Sequence, residues 1–301
     1  MSEEGAAFGL RVVTDFAAPG VAQAPSTAAP SNRVVRAVLD SAASPGEEEV
    51  VHADWGGARL RITRSSQGAL HFDHSFFGRF ALTDHGRELR CEPAELPPWQ
   101  WQRFLVGQLL PAAALAQGLG PMHCAAAEVD GGAVLLLGTS GAGKTTTLLS
   151  LVARGAGFLA DDVAALELAE GTVVAHPGSA LCNLDHGRTS QFSGLVGPAL
   201  GTWDGEDRVT VEAVHSRPIP VSAVWVLVRD RDCERIEVGD PDGPWPAALL
   251  GAHFNAALAQ GQHTATWLDL IGLLCESARL GVVRSPLDGD PARVAATILG
   301  A

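Results

Sequence analysis

One residue of the 301 is a lysine, Lys144, and it stands in GTSGAGKTTT (138–147); the other 20 basic residues are arginines. Residues 138–145 meet G-x-x-x-x-G-K-[ST] at every fixed position, the Walker A pattern of a phosphate-binding P-loop. Gly138, Gly141 and Gly143 would let the backbone through Thr139, Ser140 and Ala142 wrap a polyphosphate with its amides turned inward. The helix that follows would add the N–H groups of its first turn, Thr146 included, and the positive end of its dipole. Lys144 would reach the β- and γ-phosphates and the Thr145 hydroxyl a Mg²⁺ ion, so ATP with Mg²⁺ is the expected cofactor pair. A chance match is the alternative, and in a chain of this Gly, Ser and Thr content the lone lysine falls in such a context about once in 700 chains. Arginine is bulkier and planar and does not replace a point charge seated inside a closed loop. Compositional drift toward arginine therefore explains the missing lysines but not the remaining one.

A second constellation lies 16 residues on. Asp161-Asp162 closes the apolar stretch FLA, and a right-handed crossover from the P-loop helix would set that stretch beside AVLLLG, with both acids near the phosphates. One carboxylate there can hold Mg²⁺ and the other can take a proton from an attacking hydroxyl. The pair can equally be a turn or a helix cap. His123 opens a small-residue strand ahead of the loop; a histidine in that setting is most often structural. His71-Phe-Asp-His74 reads as a solvated strand-turn feature. Arg188, Arg208, Arg217 and Arg284 can each contact a phosphate or pair with a surface carboxylate, the latter being the usual outcome.

These residues need elements to hold them. MHCAAAEV, the DGG turn, AVLLLG, the helix GKTTTLLSLVARG and the strand FLADD form a strand–loop–helix–strand unit, which predicts an α/β fold. Upstream, FGLRVV, NRVVRAVL, ARLRITR, ALHFDH and FALTDH read as short strands, a β-rich N-terminal module over 1–96 joined to a P-loop domain over 97–301. Residues 97–120 carry helical spacing, with a break or kink expected at Pro111. Downstream, VSAVWVLVRD reads as a buried strand, WPAALLGAHFNAAL and ATWLDLIGLLCESARL as helices, and DPARVAATIL as a last helix capped by Asp290. GTWDGEDR (201–208) reads as a mobile substrate loop or a solvated turn.

The net charge of −13 argues against nucleic acid or an anionic membrane as partner. No apolar run is long enough to span a bilayer, the N-terminus has no signal-peptide pattern, and the five cysteines form no CxxC pair. These features predict a cytoplasmic protein with reduced thiols.

The block MHCAAAEVDGGAVLLLGTSGAGKTTTLLSLVARGAGFLADDVAAL resembles the catalytic domain of HPr serine kinase/phosphorylase. It resembles more closely the shorter HPr-kinase-like proteins often associated with bacterial peptide-modification gene clusters. Met122-His123-Cys124-Ala125-Ala126, Asp130-Gly131-Gly132, the P-loop, Arg154-Gly155 and Asp161-Asp162 follow the family order, and FGLRVVTDFAAPG is similar to the family's opening. The resemblance implies a kinase with Asp161 as proton acceptor, Asp162 as metal-side acid (or the two exchanged) and His123 lining the phosphate site. Where the HPr enzymes carry a Glu-Ile-Arg-Gly segment, this chain has AHPGSALCNLDHGR (175–188), so neither HPr as substrate nor the reverse reaction is implied. The expected acceptor is a hydroxyl of a peptide, a protein or a small molecule, and a homo-oligomer is possible. The competing class is a nucleotide-binding switch that transfers nothing. A transport ATPase lacks its LSGGQ-like signature here, and a GTPase would need a second lysine for its guanine-reading motif.

Overall fold

The computed structural model describes residues 3–21, 32–42, 45–212, 217–239 and 245–300. The N-terminal strands are β1 (Glu3–Ala7), β2 (Leu10–Thr14), β3 (Val34–Leu39), β4 (Glu48–Trp55), β5 (Ala58–Arg64), β6 (Leu70–His74), β7 (Gly78–Thr83) and β8 (Glu88–Pro93). They form one sheet in the order β1-β2-β3-β8-β7-β6-β5-β4. The sequence pattern suggests none of β1, β4 and β8, since EEGAA and EEVVHADW open on acids and ELRCEP is short and charged. Alternation buries Leu10, Val12, Ile62, Phe72, Phe80 and Leu89 on one face.

The segment expected as one broken helix is α1 (Pro98–Phe104), a π-helical turn over Leu105–Leu109, and α2 (Leu110–Ala116). Pro111 does not break it. Its missing N–H would have served the Gly107 carbonyl, and the ladder widens one turn earlier, with Leu110 N–H on the Leu105 carbonyl. Trp101, Phe104, Leu105 and Leu109 then fill the face of the N-terminal sheet, in one core with Val163, Ala165 and Leu181 from further along the chain. A boundary at 96/97 therefore cuts through a single hydrophobic core.

The second sheet is built from β9 (Gly120–His123), β10 (Ala125–Val129), β11 (Gly132–Leu137), β12 (Gly157–Ala160), β13 (Val163–Ala169) and β14 (Thr172–His176). A smaller sheet of β15 (Leu181–Asp185), β16 (Val196–Trp203) and β17 (Glu206–Val211) follows. Three later strands, β18 (Ile219–Arg229), β19 (Glu237–Gly239) and β20 (Arg279–Ser285), return to the second sheet. Its path runs β12-β10-β11-β18-β14-β13-β9, with β20 parallel to β18 on a side branch. MHCAAAEV is thus two strands, because β9 pairs with β13 while β10 pairs with β11 and β12. FLA is not beside AVLLLG; the all-alanine start of β10 lies between them, antiparallel to both. Asp130 and Gly131, both at positive φ, make the two-residue turn between β10 and β11.

The helix α3 (Lys144–Val152) covers one face of this sheet, its Leu148, Leu149 and Val152 packing in a core with Ala125, Ala127 and Leu136. Packing on both faces explains why β11 is a near-continuous apolar run. On the other face lie α4 (Trp245–Gly251) and α5 (Gln262–Ser277); α6 (Pro291–Gly300) packs beside α3. The helix expected over 245–258 ends at Gly251, after which His253 bridges Met122 of β9. The ARL at the end of the next expected helix belongs partly to β20. Asp290 caps α6 as expected, its Oδ1 accepting the Ala292 amide at 2.9 Å.

Candidate active site

The loop 138–143 joins the end of β11 to the start of α3. Gly143 is the N-cap of α3 at φ 87°, with no side-chain cap, so the first-turn amides face the loop cavity. A Cβ at Gly143 would come 2.9 Å from Arg229 Nη2, and one at Gly138 2.7 Å from the Leu227 carbonyl oxygen. Both glycines are needed for close approach as well as for φ. Ser140, Gly141, Ala142, Gly143, Lys144, Thr145 and Thr146 line a cavity of about 370 Å³ together with His123, Asp161 and Asp162. Gly138 and Thr139 are not in that lining. They stand beneath it, where Lys144 Nζ donates to the Gly138 carbonyl at 2.8 Å and to that of Thr139 at 3.4 Å. The Thr146 hydroxyl donates to the Gly143 carbonyl at 3.1 Å and so braces the loop.

Two chain crossings bring the acids to this cavity. Between β9 and β10, and again between β12 and β13, the chain changes sheet partners at the same level, with His123 opposite Val163 and Ala126 opposite Ala160. Asp161 and Asp162 occupy the second crossing. Asp162 has φ 67° and the Val163 amide bonds back to the Asp161 carbonyl at 2.8 Å, a tight γ-turn of the left-handed kind that is costly for a residue with a side chain. The Thr145 hydroxyl is shared between Asp161 Oδ1 and Oδ2, at 2.9 and 3.0 Å. Burial, then the charge of Asp162, raises the Asp161 carboxyl to about 7, while the Thr145 hydroxyl and Lys144 pull the other way. Asp162 points outward, its Oδ1 3.3 Å from His123 Nδ1.

Of the facing wall, only Glu206 lies in a segment that the sequence suggests for the site, GTWDGEDR. Asn183 and Asp185 of β15, Glu206 at the start of β17 and Arg103 of α1 complete the cavity lining. GTWDGEDR is a hairpin: Asp204 and Gly205 at positive φ turn β16 into β17, and Trp203 packs on Phe76. Asp-Gly between two short runs was the available signal. Of the four arginines singled out, Arg188 pairs with Asp185 at 3.2 Å and Arg284 with Asp230 at 3.5 Å, Arg208 is buried, and Arg217 is not in the lining of the glycine-loop cavity. His74 is also buried, its Nδ1 accepting the Phe76 and Phe77 amides, so it is a strand-end brace and not a solvated feature.

The donor set suits a hard, oxygen-seeking ion. The Thr145 hydroxyl meets the Asp161 carboxylate at the phosphate end of the loop, and the Asp162 carboxylate lines the same cavity. That pattern fits Mg²⁺, which keeps most of its coordination for water and phosphate oxygens.

No protein-family model matches the chain and no curated protein sequence matches it. Among solved structures it is similar to the Hpr(Ser) kinase/phosphatase from Coxiella burnetii, with 16% identity and a TM-score of 0.31 over 60% of this chain and 94% of that one. A superposition that loose adds nothing to the residue geometry above. Among the described residues no helix is long and apolar enough to cross a membrane.

Proposed function

We propose that this chain is an ATP-dependent phosphotransferase that moves the γ-phosphoryl group of ATP to a hydroxyl of a peptide, a protein or a small molecule. The observation that carries the reading is the Thr145–Asp161 hydrogen bond at the mouth of the glycine loop, which joins a phosphate cradle to a carboxylate able to take a proton. The first-turn amides of α3 and Lys144 bind the β- and γ-phosphates, and Lys144 leaves the loop carbonyls to do so. Thr145 and Asp162 would hold Mg²⁺, which supplies charge neutralisation on the transferring group. Asp161 accepts the acceptor's hydroxyl proton as its oxygen bonds to the γ-phosphorus. The bond from that phosphorus to the bridging oxygen breaks, and its electron pair leaves with ADP. Burial raises this carboxyl above the usual carboxylate range, which strengthens it as a proton acceptor. His123 steadies Asp162 and closes one side of the site.

Incubation with γ-labelled ATP, Mg²⁺ and candidate acceptors tests the reading. Label on an acceptor hydroxyl is expected. A chain that binds MgATP, labels nothing and still changes a partner's binding with nucleotide would instead be the switch.

A further inference from the structure

The most conspicuous unused charge in the fold is Arg208. It stands on β17 opposite Asn183 of β15, is 5% exposed, and its Nη2 is buried without a hydrogen-bond partner. Arg103 on α1 gives its Nη2 to Glu206 at 3.0 Å, but its Nη1 is likewise buried and unpartnered, and so is Asn183 Oδ1. All three residues line one cavity of about 600 Å³. Folded proteins rarely leave charged donors buried and unmatched, and two in one cavity mark a place prepared for an incoming anion. Burial, with the charge of Arg103 adding to it, lowers the Arg208 guanidinium to about 10, which still leaves it charged at neutral pH.

The rest of the cavity says what carries that anion. One wall is apolar, made by Phe8, Leu60, Phe77, Phe104 and Trp203. The far end reaches Asp161 and Asp162, and this cavity and the glycine-loop cavity share Arg103, Asp161, Asp162, Asn183 and Glu206. Glu206 already neutralises one of the two arginines, so the pair has a net surplus of one positive charge. Asp162 and Asp204 in the same lining further disfavour a dianion. One guanidinium is left to match, which a single carboxylate can do, whereas a phosphate dianion would meet the added repulsion of Asp162 and Asp204.

We infer that this cavity is the acceptor subsite and takes a hydroxy carboxylate with an apolar body. The carboxylate sits on Arg208 and Arg103, the body lies against the aromatic wall, and the hydroxyl lies at the Asn183–Asp161 junction. The placement of the hydroxyl rests on the phosphotransferase reading; the anion subsite does not, and binding alone tests it. The probe is 3-phenyllactate, with the neutral 3-phenylpropane-1,2-diol as its control, titrated by calorimetry into full-length protein saturated with Mg²⁺ and a non-hydrolysable ATP analogue. The acid is expected to bind at least tenfold tighter than the diol. Arg208→Gln should abolish the difference and leave analogue affinity unchanged. Arg103→Gln should reduce the difference, and it tests the same site at a less buried position should Arg208→Gln fail to fold. Equal binding of acid and diol, no measurable binding of the acid, or an undiminished preference for the acid in a folded Arg208 or Arg103 variant would overturn the inference. Acid binding that survives where no phosphoryl transfer can be found would keep the subsite and remove only the kinase reading.

Discussion

At the scale of single residues, Lys144 has two partners in the structure, the carbonyls of Gly138 and Thr139, which hold it folded over its own loop. A charge-assisted contact to phosphate is worth roughly 1.5–3 kcal/mol, so Lys144→Ala should weaken nucleotide binding at least tenfold by calorimetry. Lys144→Arg should not restore it, because the guanidinium cannot fold into the same space. Equal affinity in wild type and Lys144→Ala would refute the phosphate-cradle assignment. The glycine loop, the lysine and the paired aspartates were legible because their signals are local: fixed spacing around one residue, and two acids closing an apolar strand. Arg103, Asn183 and Arg208 were not legible as a group. They are far apart in sequence and meet only because α1 packs under the N-terminal sheet while β15 and β17 pair in register.

At the scale of elements, the loop between β11 and α3 depends on backbone that only glycine adopts cheaply. Gly143→Ala would hold a side chain at φ 87° and press its Cβ to 2.9 Å from Arg229 Nη2. Arg229 Nη1 is itself held by the Pro286 and Gly289 carbonyls at 3.0 and 2.7 Å and has little room to move. The expected outcome is a stability loss of about 1–2 kcal/mol in urea titration and a larger loss of nucleotide binding, as the first-turn amides are re-aimed. Unchanged binding would mean that the loop geometry is not what holds the nucleotide. Pro111 and β10 show where sequence patterning misled. A proline that should end a helix is absorbed by a π-turn, and a strand that should be continuous changes partners at Cys124. In both cases tertiary pairing settles what local preference leaves open.

At the scale of the molecule, the N-terminal sheet and the downstream chain are tied by packing and by one ion-pair cluster. Glu167 of β13 accepts from Arg33 at 2.6 Å and lies 2.7 Å from His176 Nε2. The His176 contact, then Arg33, lowers its carboxyl from 4.5 to about 2. The ionised form is thus favoured in the folded state, so its stabilisation is present above pH 4.5 and is lost as the pH falls toward 2. Discounted for partial exposure, it is about 1–2 kcal/mol. Glu167→Gln should lower the urea midpoint at pH 7, and its deficit against wild type should shrink between pH 5 and 2; a pH-independent deficit would contradict the assignment. Packing makes the larger contribution. A fragment 97–301 would expose Trp101, Phe104, Leu105 and Leu109, so it should aggregate on size exclusion, and a monodisperse fragment that binds nucleotide would show that the shared core is dispensable.

Asp161 lines both cavities, so the most direct test is a pair of measurements on Asp161→Asn. Asparagine keeps an oxygen for the Thr145 hydroxyl but takes no proton at neutral pH. MgATP affinity should stay within about threefold of wild type by calorimetry, while phosphoryl transfer to an acceptor falls by on the order of 10²–10⁴-fold, the usual share of general-base catalysis. Transfer at the wild-type rate by Asp161→Asn, with the label on the same hydroxyl, would contradict the account.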